Sequence, residues 1–210
     1  MREPYQTPHV SVADYLRAEA RSSIRHEYVR GEVYAMPGGT FRHNLITGNI
    51  FARLKAAARG GACRVYMNDV KVQPGSDVFY YPDVVAVCGP QDLSDVVATS
   101  PCLIAEVTSR STARIDRGEK LVEYRGAQPL RAYLIVDQNR KRVVHHWRQP
   151  TGEWTATELL GSGTIALPCP RLDLSLDEIY EDVELPPLGV AEPELDEETG
   201  EYVVERTSAH

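Results

Sequence analysis

The alternation of apolar and polar residues predicts the elements of the first third of the chain. "SVADYLRAEA" (11–20) has apolar residues at helical spacing behind Ser11, which suits an N-cap, and predicts a short helix. "HEYVRGEVYAM" (26–36) alternates on both sides of a glycine and predicts a tight hairpin. "HNLITGNIFARLKAAARGG" (43–61) predicts an amphipathic helix. Its predicted buried stripe comprises Leu45, Ile46, Ile50, Leu54 and Ala57 or Ala58.

The remaining segments favour strands, with one long helix between them. "CRVYMNDVKVQP" (63–74), "DVVAVCG" (83–89) and "PCLIAEVTS" (101–109) predict strands. "STARIDRGEKLVEYRGAQ" (111–128) predicts a helix, and 131–149 predicts a hairpin that turns near Asp137, Gln138 and Asn139. Later predicted elements are strands at 153–160 and 164–167 and a short helix at 175–182. This order predicts an α/β fold in which a mixed β-sheet is flanked by helices.

The composition changes near residue 185. Prolines and carboxylates dominate 185–210, which cannot readily form a packed core, so we predict one domain over 1–184 and an acidic tail over 185–210. The short "EYVVE" in this tail could add an edge strand, for instance to a neighbouring subunit. Residues 175–210 carry a charge of −11, so residues 1–174 carry +4. A mildly basic body suits a nucleic-acid partner, although a solvated acidic tail on an ordinary enzyme explains the asymmetry equally well.

The four cysteines are scattered and form no CxxC pair. We therefore expect reduced core thiols and neither a zinc site nor a disulfide framework. No apolar run approaches the roughly 18 residues of a membrane span. The N-terminus lacks the apolar segment of a secretory signal. These features predict a cytoplasmic protein with no membrane partner.

Two carboxylates stand in apolar contexts. Asp83 follows Pro82 directly before an apolar strand, where it could be a turn residue or a metal ligand. Glu106 lies within "LIAEVTS", and an unpaired carboxylate in such a strand is costly to bury. We expect a partner cation, a metal ion or exposure in a cleft to compensate it. A solvated sheet face or a simple ion pair is the alternative for Glu106.

Three further residues complete the candidate set. Lys120 stands four residues after Asp116, and a surface ion pair between them is the simpler interpretation. If the helix folds back over the sheet, however, Lys120 can reach the carboxylates. Two carboxylates and a lysine suit binding of Mg²⁺ and hydrolysis of a phosphodiester. Glu32 could be another metal-facing carboxylate, and His43 could contact a phosphate or relay a proton. Alternatively, they are an ordinary hairpin residue and a helix-terminus residue.

Together these segments resemble a known family. "YPDVVAVC" followed by "LIAEVTSRSTARIDRGEKLVEYRGAQPLRAYLIVD" resembles the Uma-two family of restriction endonucleases, within the PD-(D/E)XK nuclease superfamily. "HEYVRGEVYAMPGGTFRHNLITGNIFARL" is similar to the N-terminal half of that family, so the resemblance spans residues 10–180. It implies a restriction-endonuclease-like core and hydrolysis of DNA that depends on Mg²⁺ or Mn²⁺.

The resemblance also assigns roles to residues. Asp83 matches the aspartate of the PD motif, Glu106 matches the second acidic residue, and the carbonyl of Val107 would be a further metal ligand. The superfamily places a lysine two residues after the second acid, where this chain has Thr108. Lys120 matches a helix lysine that takes over this role in the family.

Three functions follow as hypotheses. The first is a metal-dependent endodeoxyribonuclease, which we expect to be a homodimer because superfamily nucleases often pair to cut both strands. The second is a catalytically inactive nucleic-acid-binding or regulatory module on a nuclease fold. The third is a homodimeric structural protein whose tail swaps onto its partner.

Overall fold

Two large β-sheets with helices packed on them build the described part of the chain. The computed structural model describes residues 9–36, 38–108 and 118–185, together with the backbone of 194–195 and 202–203. The helices are α1 (Val12–Glu19), α2 (Phe41–Ala57), α3 (Glu119–Gly126) and α4 (Leu176–Ile179). The strands are β1 (His26–Val29), β2 (Glu32–Ala35), β3 (Cys63–Met67), β4 (Lys71–Gly75), β5 (Val78–Tyr80), β6 (Val84–Cys88), β7 (Val97–Ala98), β8 (Pro101–Thr108), β9 (Ala132–Asp137), β10 (Arg142–Arg148), β11 (Trp154–Leu160), β12 (Thr164–Pro168), β13 (Arg171–Ser175), β14 (Glu194–Leu195) and β15 (Tyr202–Val203).

The larger sheet is mixed. Its six strands run in the order β11-β10-β9-β8-β6-β3, and only β8 and β9 are parallel. A five-stranded sheet has the order β2-β1-β5-β4-β7, and β12 pairs with β13 as a separate hairpin. The predicted α/β fold, a mixed sheet flanked by helices, is confirmed.

The central strands of the six-stranded sheet are buried on both faces. One face packs against α2 and α4, and the other packs against α3 and part of the five-stranded sheet. Val84 and Ala86 lie in the first core, whereas Val85 and Val87 lie in the second. Because successive side chains point to opposite faces, a strand covered on both sides is apolar throughout. This explains the unbroken run "VVAV" directly after Asp83.

Helix α2 starts earlier than predicted, and the stripe of residues that it buries against the core is narrower than the predicted stripe. Thr40 caps it, since its hydroxyl accepts a hydrogen bond of 3.1 Å from the backbone N–H of His43. Ile46, Ile50 and Leu54 recur every four residues and are fully buried. Leu45 is 40% exposed, so its predicted place in the buried stripe is wrong. It lies about 100° around the helix axis from Ile46 and points away from the sheet.

The single strand predicted over 63–74 is two strands that belong to different sheets. β3 pairs with β6 in the larger sheet, and β4 pairs with β5 in the smaller one. The chain turns between them at Asn68, which has a φ of 60°. Asparagine adopts this left-handed conformation more readily than most residues. The segment "MND" therefore carries the chain from one sheet to the other.

The prediction of reduced, unpaired thiols is wrong for this structure. Cys63 is disulfide-bonded to Cys88, and Cys102 is disulfide-bonded to Cys169. Cys63 and Cys88 are direct partners across the β3–β6 pair, and the fold brings together positions that are far apart in sequence. Sequence spacing could not reveal this proximity, because both pairings depend on the sheet order.

The acidic tail forms a contact of its own. β14 and β15 pair as a two-stranded antiparallel ribbon, with Glu194 opposite Val203. The strand expected within "EYVVE" is present as β15 and pairs with β14 of the same chain. No helix in the described ranges is long and apolar enough to cross a membrane.

Candidate functional site

Asp83 and Glu106 stand opposite one another on neighbouring strands. Val84 of β6 pairs with Ala105 of β8, and this antiparallel register continued by one residue places Asp83 across from Glu106. The ladder itself ends at Val84, and the two side chains contact different helices, since Asp83 lies beside His43 of α2 and Glu106 lies beside Lys120 of α3. The fold thus places the two carboxylates that the sequence singled out at one end of the β6–β8 pair.

The side chain of Asp83 is held on both oxygens. Its Oδ2 accepts a hydrogen bond of 2.7 Å from the backbone N–H of Val107, and its Oδ1 lies 3.0 Å from Nε2 of His43. His43 reaches this position from the first turn of α2. Only 14% of the Asp83 side chain is exposed. Asp83 is therefore more than a turn residue, because it joins β6, β8 and α2 at one point.

Glu106 is buried and compensated, as its apolar strand requires. Its Oε1 lies 3.2 Å from Nζ of Lys120 and accepts a hydrogen bond of 3.1 Å from the hydroxyl of Tyr124. Burial raises the pKa of Tyr124 well above its usual value, so this phenol stays protonated and donates. Of the alternatives open from the sequence, a partner cation is present and a solvated face is excluded.

Lys120 reaches the sheet because α3 folds back over it. Its Nζ lies 2.9 Å from Oε1 of Glu27 as well as beside Glu106, and it sits over the ring of Tyr80 at 5.3 Å from the centroid. Such placement of an ammonium group over a ring is favourable. Asp116, its alternative partner from the sequence, lies outside the described residues.

Glu27 is the site residue that sequence reasoning missed. It lies in β1 of the five-stranded sheet and also accepts a hydrogen bond of 3.4 Å from the backbone N–H of Tyr81. "HEYVRGEV" contains two glutamates, and the hairpin pattern gives no reason to prefer one of them. The only signal is that Glu27 stands beside the buried Tyr28, whereas Glu32 lies next to the turn.

Glu32 is not brought to the carboxylate pair. It is exposed on β2 and accepts a hydrogen bond from the hydroxyl of Tyr34. That hydrogen bond raises the pKa of Tyr34 to about 12. Among the described residues Glu32 makes no hydrogen bond or ion pair with Asp83, Glu106 or Lys120.

Thr108 stands two residues after Glu106, where the resemblance noted from the sequence implies a lysine in related nucleases. It is 1% exposed, and its hydroxyl donates to the carbonyl oxygen of Val136 at 3.4 Å. Its carbonyl accepts a hydrogen bond of 3.2 Å from the backbone N–H of Gln138, on the β9 side. Both hydrogen bonds of Thr108 are thus made on the β9 side, and the cation beside Glu106 is Lys120 of α3.

The backbone of Val107 points the other way from that of Thr108. The N–H and C=O groups of one strand residue lie on the same edge, and successive residues alternate between edges. Since the N–H of Val107 donates to Asp83, its carbonyl also faces the end of β6. Two carboxylates and one carbonyl therefore lie at this strand end. In the described ranges, no three ligand atoms from histidine, cysteine, aspartate or glutamate side chains lie within 4.8 Å of one another here.

Sequence comparisons with known proteins find a family and several relatives of this chain. Residues 12–178 match the model of the Uma2 family, described as "Putative restriction endonuclease". An uncharacterized protein of Synechocystis sp. is 32% identical over 175 residues, which are 82% of this chain and 92% of that protein. A second uncharacterized Synechocystis protein is 31% identical over 156 residues, or 72% of this chain and 88% of that protein.

A solved structure shares the fold. It is a crystal structure of "a putative nuclease belonging to DUF820" from Anabaena variabilis, with a TM-score of 0.68 and 13% sequence identity. The superposition covers 81% of this chain and 97% of that chain. The family model extends over most of the chain, from α1 to α4, and includes Asp83, Glu106 and Lys120. This chain belongs to the Uma2 family.

Proposed function

We propose that the protein is a metal-dependent endonuclease that hydrolyses phosphodiester bonds of DNA. The observation that carries this proposal is the opposed pair of Asp83 and Glu106, with the ammonium group of Lys120 on the second carboxylate. Membership of the Uma2 family supports it. So does the charge of +4 on residues 1–174, since a phosphate backbone favours a basic partner.

The donor set fits a hard cation. The carboxylates of Asp83 and Glu106 and the carbonyl of Val107 are all oxygen ligands, which suit Mg²⁺ or Mn²⁺ better than a thiophilic metal. One or two protein carboxylates are enough, because Mg²⁺ keeps several of its waters. When bound, such an ion supplies an activated water and neutralises charge on the phosphate.

Lys120, Glu27 and His43 would act on the attacking water and on the phosphate. The ammonium group can orient the attacking water or stabilise negative charge that develops on the phosphate. Glu27 acts as a positioning residue, because it holds Nζ of Lys120 at 2.9 Å. His43 orients Asp83 from α2 and is placed to contact a phosphate. A metal-facing role for Glu32 stays a prediction without a supporting contact.

Plasmid cleavage tests the proposal directly. Purified protein is incubated with supercoiled plasmid and Mg²⁺ or Mn²⁺, with a chelator as the negative control. We expect nicked and linear products that disappear in Asp83→Asn and Glu106→Gln, which preserve side-chain size. Asp173→Asn is the matched control, since Asp173 is an exposed carboxylate on β13.

Two results would contradict the proposal. Cleavage that persists in both site variants would place the activity elsewhere or in a contaminant. Failure of the folded wild-type protein to cut DNA with either metal would also count against it. Cleavage of RNA but not of DNA would show that the substrate is RNA.

A catalytically silent nucleic-acid-binding module is the second candidate. Two observations favour it: Thr108 is buried at the superfamily lysine position, and the charge of Lys120 is already shared by Glu27 and Glu106. Here the protein would retard labelled DNA in a gel without cutting it. Calorimetric titration with Mn²⁺ would then give the same heat for wild type and Asp83→Asn.

We infer a homodimer, a cytoplasmic location, and a division into a nuclease-like domain (1–184) and an acidic tail (185–210). Sedimentation of the full chain and of a 1–184 truncation tests the first and last of these, because a folded, active truncation is expected if the tail lies outside the domain.

A further inference from the structure

All four cysteines of the chain meet at one place. Cys63 and Cys88 are the cross-strand partners at one end of the β3–β6 pair. Cys102 lies near the start of β8, the next strand of the sheet, and Cys169 lies in the turn between β12 and β13. Three neighbouring strands and a separate hairpin thus deliver one sulfur atom each.

A β-bulge brings the third cysteine into this cluster. Ala86 pairs with Leu103 and Val87 pairs with Pro101, so Cys102 is an extra residue between two regular pairs. Bulges turn a side chain away from the direction that strict alternation would give it. The bulge therefore accounts for the Cys102 sulfur lying beside that of Cys88.

The spacing of the sulfur atoms suits a tetrahedral ion. The Sγ atoms of Cys88, Cys102 and Cys169 all lie within 4.8 Å of one another, and the Sγ of Cys63 is bonded to that of Cys88. Four thiolates around Zn²⁺, with Zn–S bonds of ~2.3 Å, are separated by about 3.8 Å. Three of the four sulfur atoms lie near that spacing, the Sγ of Cys63 can turn toward the ion once its bond to Cys88 is reduced, and the four residues are half-buried.

We propose that these four cysteines, in their reduced form, bind one Zn²⁺ ion as a structural tetrathiolate site. Reduction of each disulfide takes two electrons and two protons from a dithiol, which itself becomes a disulfide. The thiols then release their protons as the ion binds, and zinc undergoes no redox change. The site ties β3, β6 and β8 to the β12–β13 hairpin.

This site is separate from the candidate catalytic centre. Asp83 precedes the first residue of β6 and Cys88 is its last. At ~3.3 Å per residue they lie roughly 16 Å apart, at opposite ends of the strand. The ligands also differ in kind, because thiolates suit zinc whereas carboxylate and carbonyl oxygens suit magnesium or manganese. The two proposals can therefore fail independently.

Metal analysis of the reduced protein tests the proposal. The full chain is treated with a phosphine reductant, which becomes a phosphine oxide with an oxygen atom from water, and is then equilibrated with Zn²⁺ and desalted without oxygen. We expect one zinc ion per chain by mass spectrometry, and intense visible absorption bands of a tetrahedral thiolate complex when Co²⁺ replaces zinc. Cys88→Ser should lose both signals, whereas Asp83→Asn should keep them.

If the reduced protein binds no zinc or loses its structure, its folded state decides how the result is interpreted. Reduced protein that loses its structure, and regains it by circular dichroism when zinc is added, supports the site. Folded, reduced protein that binds no zinc overturns it, as does reduced protein that zinc fails to refold. Zinc bound equally by wild type and Cys88→Ser also overturns the proposal, because the ion would then lie elsewhere.

Discussion

The ammonium group of Lys120 and the carboxylate of Glu27 form an ion pair of 2.9 Å that joins helix α3 to strand β1. Both side chains are largely shielded, with exposed fractions of 9% and 15%. Glu106 lies on the same ammonium group, so one cation serves two carboxylates from different sheets. The candidate site and the contact between the sheets therefore depend on the same residue.

Replacement of Lys120 by methionine should destabilise the protein. The variant keeps the length of the side chain but leaves Glu27 and Glu106 facing each other without the cation. Loss of one partner from a buried ion pair costs roughly 3–5 kcal/mol. We expect urea denaturation at pH 7 to show a decrease of this size. Lys55→Met, at an exposed position of α2, is the control, and an equal loss in both variants would contradict the ion-pair account.

Glu27→Gln and Glu32→Gln should separate the two hairpin glutamates. Glu27 holds Lys120, whereas Glu32 is exposed and contacts Tyr34. If the protein is a nuclease, Glu27→Gln should slow plasmid cleavage by roughly 10–100-fold, the range for loss of a group that supports a metal site. Glu32→Gln should cut at the wild-type rate. The reverse order of the two rates would show that Glu32 is the functional residue.

His43→Ala should weaken the hold on Asp83. Removal of the imidazole frees Oδ1, which lies 3.0 Å from Nε2. Mn²⁺ affinity or cleavage should then fall by roughly 10–100-fold, with little change in thermal stability. Asn44→Ala, at the next and exposed position, is the matched control. Calorimetric titration with Mn²⁺ measures the first quantity, and unchanged affinity together with an unchanged cleavage rate would contradict a supporting role.

Two buried histidines should make the protein less stable in acid. Burial, first of all, lowers the pKa of His145 and of His146 to about 4. An unfolded histidine titrates near 6.5, so between these values the unfolded chain binds more protons and stability falls as the pH falls. The full effect is on the order of 3 kcal/mol for each residue and is reached only near pH 4. Above pH 7 it vanishes.

Denaturation at several pH values measures this dependence. The double variant His145→Gln, His146→Gln should flatten the curve between pH 7 and pH 4. His9→Gln, at an exposed position, should leave it unchanged. A double variant with the wild-type slope would assign the acid sensitivity to other groups.

Local sequence patterns predicted the elements better than their connections. The cap at Ser11, the run "VVAV" and the hairpin at Gly31 all depend on neighbouring residues, and the first helix, the hairpin and the strands around Asp83 and Glu106 are confirmed. The hairpin turns through Arg30 and Gly31, which both have positive φ. Strands β5, β7 and β13 were missed because they are short or follow turns closely.

The site was predictable in part, for the same reason. Asp83 and Glu106 could be recognised as candidates because their neighbours in the sequence are apolar. Lys120 could be recognised because it lies on the helix predicted directly after Glu106. Glu27 and the cysteine cluster could not be recognised in this way, because the residues that contact them in the fold come from other sheets or from distant strands. A partner that is set by the order of strands leaves no trace in the spacing of residues along the chain.

The pairing of β1 with β2 connects the exposed edge strand of the smaller sheet to the buried ion pair of Glu27 and Lys120. Glu27 is the direct cross-strand partner of Tyr34, whose side chain is 48% exposed. A solvent-exposed tyrosine therefore stands one strand away, about 4.8 Å, from the strand that carries the ion-pair partner of Lys120.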